Sequence, residues 1–320
     1  MFALLARLFA TLLHIALVLA LAPLLAGCIA RWRARLLGRR GPPVTQPYRS
    51  LLRLLRKTTL VPETSTELYP VWPFAACAAM AGAAMLVPGF STGMLTAPLG
   101  DFINIIGLLA LARVATLLGG LETGFGFGGA AAARELLFSI FAEAALLVVL
   151  ISFVLLAHSF NIGAIATAFA TGHIGVSISL GFALVALLAV ALTETGRVPV
   201  DNPAGHLEVA MVHEALLLEY SGRYLLLFEY AGMLRLMVWL NIIATIFFPF
   251  LMAHAGDPRS WPVGLGLWAV KLGVMAVALP VFEVAMAKMR VFRVPEFLGV
   301  AILLGVLAGV FLFVAARIGA

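Results

Sequence analysis

Apolar residues fall into blocks of about 20, the length of a helix that crosses a bilayer, separated by short charged, glycine-bearing or proline-bearing stretches. Eight such blocks stand at about 3–30, 70–89, 99–119, 135–157, 174–194, 223–250, 262–284 and 296–317. The pattern predicts an all-α polytopic membrane protein of about eight transmembrane helices, forming a single membrane domain over 1–320. Between the first two blocks, Tyr48 to Lys57 sets leucines at 51, 52, 54 and 55 against basic residues at 49, 53, 56 and 57, behind the breakers Pro42, Pro43 and Pro47. That spacing suits a short amphipathic helix on the membrane surface; a solvated charge run is the alternative.

Composition agrees with the pattern. Hydrophobic residues make up 63% of the 320 positions and charged residues 11%, where a soluble domain carries about 25% charged residues. The mean hydropathy of +1.10 leaves too little polar surface for a water-soluble globule. Of the 21 Lys and Arg, nine lie between Arg31 and Lys57. Fifteen fall in, or at the border of, segments 31–69, 120–134, 195–222 and 285–295, against three, Arg7, Arg259 and Arg317, towards the other side. Cytoplasmic loops carry such an excess, so both termini are expected on the outer face of a multi-pass membrane protein. The basic run is assigned to that inner face and not to nucleic acid. Leu25-Ala26-Gly27-Cys28 could pass for a lipoprotein cleavage site, but the apolar run before it exceeds a signal core and Arg31-Trp32-Arg33-Ala34-Arg35 follows as a stop-transfer flank. The two cysteines, Cys28 and Cys77, stand in apolar runs without a CxxC or a histidine at ligand spacing. They predict no disulfide and no metal site, so a redox cofactor would have to sit on another chain.

An ionisable group at membrane depth is costly and is a functional candidate by default. Asp101, Arg113, Glu143, Glu194, Glu229, Arg235, Lys271 and Glu283 all qualify. The densest stretch is 193–230, where Glu194, Glu208, Glu214, Glu219, Glu229 and Asp201 are interspersed with Arg197, Arg223, His206 and His213 among leucines. Asn202-Pro203 reads as a helix start, and on a helix from there Glu208 and Glu219 share a face, as do His206 and His213. The segment is too charged to span and too apolar for an ordinary loop, so it is expected to line a polar cavity near the inner surface. Burial raises a carboxylate's pKa and a nearby arginine lowers it, so a row of them can hold and pass protons. The alternative is a set of structural ion pairs. Gly119, Gly120, Gly124, Gly126, Gly128 and Gly129 precede Arg134-Glu135 without the lysine and hydroxyl of a P-loop, and read as a flexible inner loop leading into a helix. Glu143 lies two turns beyond Glu135 and faces roughly the same way.

Several runs together carry a family resemblance: Glu194-Thr195-Gly196-Arg197-Val198-Pro199-Val200-Asp201-Asn202-Pro203, His206-Leu207-Glu208, Met211-Val212-His213-Glu214, and Glu219-Tyr220-Ser221-Gly222-Arg223. Arg134-Glu135 with Glu143, and Ala287-Lys288-Met289-Arg290-Val291-Phe292-Arg293-Val294-Pro295-Glu296-Phe297, extend it. The chain resembles the NuoH-like membrane subunit shared by complex I and the membrane-bound nickel–iron hydrogenases, most of all its formate hydrogenlyase and hydrogenase-4 branch. Four alanines, Ala130 to Ala133, stand before Arg134 where the family's pattern would place a serine next to the arginine. The resemblance implies a non-catalytic subunit that anchors a peripheral redox arm and couples it to ion translocation. By matching position it implies a charge pathway through Glu135, Glu143, Glu208, Glu214 and Glu219, with Glu194, Arg197, Asp201 and Arg223 at its mouth and Glu229 beside it. Arg134, Arg197, Arg223, Arg290 and Arg293 become arginine partners and docking residues. Implied partners are hydrogenase-like large and small subunits, an iron–sulfur subunit and antiporter-like membrane subunits. The nickel–iron centre and iron–sulfur clusters are expected on those partners. A quinone-chamber subunit and a standalone ion transporter are the rival readings; the internal repeat many transporters show is not visible here.

Overall fold

The computed structural model describes residues 2–170, 178–197, 213–286 and 293–318. Among them run ten helices: α1 (Phe2–Leu36), α2 (Gln46–Arg56), α3 (Val71–Leu86), α4 (Phe102–Glu122), α5 (Gly126–Ala157), α6 (Ile162–Ala170), α7 (Ile178–Glu194), α8 (Gly222–Phe247), α9 (Trp261–Ala285) and α10 (Val294–Ile318). Six of these, α1, α4, α5, α8, α9 and α10, are long and apolar enough to cross a membrane. α3 and α7 are apolar but shorter, at 16 and 17 residues. The protein is an all-α polytopic membrane protein, and each of the eight apolar blocks overlaps one of these helices. Among the described residues one sheet pairs two residues of β1 (Ser91–Thr92) with two of β2 (Ala253–His254) in parallel.

Helix α8 is the axis of the bundle. Every residue from Leu234 to Ile246 is buried, as expected of a helix apolar all round and enclosed by others. α1, α2, α3, α6, α7 and α9 pack on it, while α10 lies across α5 and α7. The alanines of α3 allow its backbone to approach α4 and α8 closely, since small residues set helix spacing where lipid removes the hydrophobic drive. α2 forms where the amphipathic pattern placed it, with Leu52 and Leu55 exposed.

Pro23 lies inside α1, and proline has no N–H to give to the carbonyl four residues back. That carbonyl, on Leu19, accepts instead from the Tyr230 hydroxyl of α8 at 2.9 Å, which ties α1 to the axis. Tyr230→Phe is expected to leave the carbonyl unpaired and cost about 1–3 kcal/mol, read as a lower unfolding temperature in detergent; an unchanged temperature would mean that another donor reaches it.

Two expectations need correction. The glycine-rich stretch is not a flexible loop. α4 runs through Gly119 and Gly120, and α5 begins at Gly126. A Cβ on Gly128 would lie 2.5 Å from the Gly120 carbonyl oxygen, and one on Gly120 would meet Leu216; these glycines are close-packing positions. Nor does a helix carry Glu219: residues 213–221 form turns around a single 3₁₀ turn at Ala215–Leu217, so the shared helical face with Glu208 does not hold. α6 is an element that the hydrophobic pattern did not predict.

Candidate functional site

α7 ends inside the bundle. Gly196, at φ 59°, takes the left-handed turn. The Gly196 N–H donates to Thr193 and the Arg197 N–H to Leu192, at 3.1 and 3.0 Å, the two bonds of a Schellman cap. The sequence Thr193-Glu194-Thr195-Gly196-Arg197 therefore leaves Glu194 in the last turn and Arg197 just outside it. A helix C-terminus carries partial negative charge, which disfavours a carboxylate there. Two cations offset this. Arg235 of α8 donates to the Glu194 backbone carbonyl at 3.3 Å, and Arg113 of α4 forms an ion pair with the Glu194 carboxylate.

Arg113 is the hub. One guanidinium nitrogen bonds Glu194 of α7 and the other Glu143 of α5. Arg113 and Glu194 are both about 5% exposed at the side chain, whereas Glu143 is 41% exposed. Glu135, buried two turns earlier on α5, faces the Nε2 atom of His213 at 3.6 Å and contributes to the field at both arginines. Five chain elements, α4, α5, α7, α8 and the 213–221 turn, thus place Glu143, Arg113, Glu194, Arg235, Glu135 and His213 in one row. Beside it lies a cavity of about 290 Å³, lined by Arg33, Glu194, Arg197, His213, Glu214, Glu229 and Arg235 together with small and apolar residues.

The 213–221 turn is seated by aromatic residues. Tyr69 stacks on Tyr220 at 4.4 Å between centroids. The Tyr69 hydroxyl donates to the Glu219 carbonyl and the Tyr220 hydroxyl to the Gly119 carbonyl, each at 3.1 Å. Burial, with Glu219 nearby, pushes the Tyr69 phenol up to about 12, so it remains a donor at physiological pH. Glu122 holds the other side by accepting from the Thr66 N–H at 2.8 Å and from Trp72 at 3.4 Å.

The candidates from the sequence divide accordingly. Glu135, Glu143 and Glu194 meet in the row; Glu214 and Glu229 line the cavity; Glu219 is half-buried in the aromatic seat. Arg197 lines the cavity, Arg134 is half-buried on α5, Arg223 is exposed in the first turn of α8, and Arg293 is exposed just before α10. Asp201, Glu208, His206 and Arg290 lie outside the described residues. The organising arginines, Arg113 and Arg235, were recognisable as charges at membrane depth, but spacing did not assign them to this row. Among the described residues no group of three or more His, Cys, Asp or Glu is arranged to hold a metal ion, and Cys28 and Cys77 stand on different helices, α1 and α3.

Residues 9–315 match the NADH dehydrogenase family. Hydrogenase-4 component C of Escherichia coli K12 is 34% identical over 233 residues, 73% of each chain. Formate hydrogenlyase subunit 4 of the same organism is 32% identical over 231 residues, 72% of this chain and 74% of that one. A chain in the structure of the membrane-bound sulfane sulfur reductase, an archaeal respiratory membrane complex, has the same fold at 18% identity, with a TM-score of 0.81 over 95% of this chain and 98% of that one. With the family match spanning nearly the whole sequence, and two relatives above 30% identity over almost three quarters of it, the chain belongs to the NADH dehydrogenase family.

Proposed function

We propose that this chain is the membrane anchor and charge-coupling subunit of a redox-driven, ion-translocating complex of the hydrogenase-4 and formate hydrogenlyase type, in a bacterial inner membrane. The observation that carries the reading is the buried row in which one guanidinium is shared between carboxylates of two helices and opens onto a charged cavity. The names of the two relatives above 30% identity support the same class.

The chemistry follows from the geometry. Arg113 keeps its charge at any physiological pH. A proton arriving on Glu143 weakens that pair and leaves Arg113 to Glu194; loss of the proton reverses the balance. Glu135 and His213 form a second step, since histidine is the side chain whose ordinary pKa lies closest to neutrality. In this reading the charge pathway continues from these groups to Glu214, Glu219 and Glu229 and includes Asp201 and Glu208, while Arg134, Arg197, Arg223, Arg290 and Arg293 dock a peripheral arm. The electron-transferring nickel–iron and iron–sulfur groups belong to partner subunits in this reading: hydrogenase-like large and small subunits, an iron–sulfur subunit and antiporter-like membrane subunits. Ligand pockets are lined mainly by apolar and aromatic side chains, so the charged lining here favours water and protons over a quinone ring.

The test is purification from membranes in mild detergent with mass spectrometry of what co-purifies. Recovery of hydrogenase-like and antiporter-like subunits is the expected result. A chain recovered alone under several detergents would overturn the reading in favour of a standalone transporter.

A further inference from the structure

Glu283 has no part in the row just described. Its side chain is fully buried in the last turn of α9, and two guanidiniums converge on it. Arg197 Nη1 lies 3.0 Å from Oε1, and Arg33 Nε, from the last turn of α1, lies 3.5 Å from Oε2. The arginine side chains are 24% and 21% exposed, for Arg33 and Arg197 respectively, and both line the cavity. One buried carboxylate is therefore the meeting point of α1, α9 and the residue that closes the α7 cap.

We propose that Glu283 is a positioning residue: by fixing Arg197 against α1 and α9 it holds the α7 cap closed and thereby sets the place of Glu194 beside Arg113. The inference deepens the charge-coupling reading, because the cap it fixes carries a carboxylate of the row. Three facts combine in it. Arg197 makes its backbone bond to Leu192 and its side-chain bond to Glu283 at once, so the pair acts directly on the cap. The cap needs a left-handed glycine at 196, where a Cβ would also meet the His213 ring at 2.9 Å, so the turn has little room to shift. A buried carboxylate without its cations is strongly disfavoured, which gives the pair a reason to stay closed.

Hydrogen exchange on the complex purified from membranes tests this directly. The amides of Gly196 and Arg197 are bonded within the cap and exchange only when it opens. Glu283→Gln is expected to speed their exchange about tenfold or more, as befits loss of a charge-assisted bond. Arg197→Gln, at a part-exposed position that tolerates a neutral side chain, is expected to do the same, and the double variant no more than either alone, since coupled residues are not additive. Glu283→Asp, which keeps the charge, is expected to recover most of the protection. Amides of Leu234–Ile246 report that the bundle is intact. Wild-type exchange in both single variants, or effects that add, would overturn the proposal. A faster-opening cap with redox-driven ion transport unimpaired would leave Glu283 as a positioning residue and count against the coupling reading instead.

Discussion

Arg113→Met is expected to destabilise the protein by about 3–5 kcal/mol, the usual cost of removing one partner from a buried ion pair, and to abolish redox-driven ion transport in the assembled complex. Among the described residues Glu194 is left with no side-chain cation in direct contact; Arg235 holds only its backbone carbonyl. Glu143 loses the same partner but is 41% exposed, so it can be solvated and adds less. The decisive comparison is Arg113→Met with Glu194→Met. Replacing a whole buried pair by apolar side chains of similar size is often neutral or stabilising, so the double variant is expected to regain most of the lost stability in thermal unfolding. If the row handles charge, transport stays absent in that stable double variant. If transport returns with stability, the pair is structural only, and the carboxylates serve as helix ties. Arg113→Lys separates charge from geometry: an ammonium lacks the planar fork that reaches two carboxylates at once, so transport is expected to fall while folding is largely kept.

The sequence made the helices legible and left their pairings unread. Lipid demands about 20 apolar residues per crossing, so blocks such as 223–250 and 262–284 announced α8 and α9 to within a few residues. α6, with only nine residues, meets no such length requirement; its place depends on contacts with α5 and α8 that no local pattern encodes. The same limit governs the site. Periodicity relates Glu135 to Glu143 because both lie on α5, but nothing local joins residue 113 to 143 and 194, or residue 33 to 197 and 283. The cost of burying a charge identified Arg113, Arg235 and Glu283 as residues needing partners; only the fold says which partners they have. Of the acidic stretch 193–230, Glu194, Arg197, His213, Glu214 and Glu229 line a cavity, whereas Glu219 stands on turns and not on the helix expected for it.

The glycine run allows the sharpest test of the reading that replaced the flexible loop. Gly128→Leu is expected to cost about 3 kcal/mol or more, at the upper end of overpacking penalties, because the first added atom meets a backbone carbonyl, Gly120 O, which no rotamer change can move aside. α4 and α5 must then separate where Gly128 meets Gly120. Arg113 rides on α4, with Glu135 and Glu143 on α5, so the shift is carried straight into the row, and transport is expected to fall even in the fraction that assembles. Gly129 is the internal control. A Cβ there meets nothing within 4 Å, and in a helix interior alanine is favoured over glycine by about 1 kcal/mol. Gly129→Ala is therefore expected to be neutral or slightly stabilising, while Gly128→Ala already destabilises. Thermal unfolding of the three variants side by side measures the contrast. Equal tolerance at 128 and 129 would mean that the two helices are free to part, and that the run provides flexibility after all. A steep difference would mean that the glycines set the distance across which Arg113 reaches Glu143.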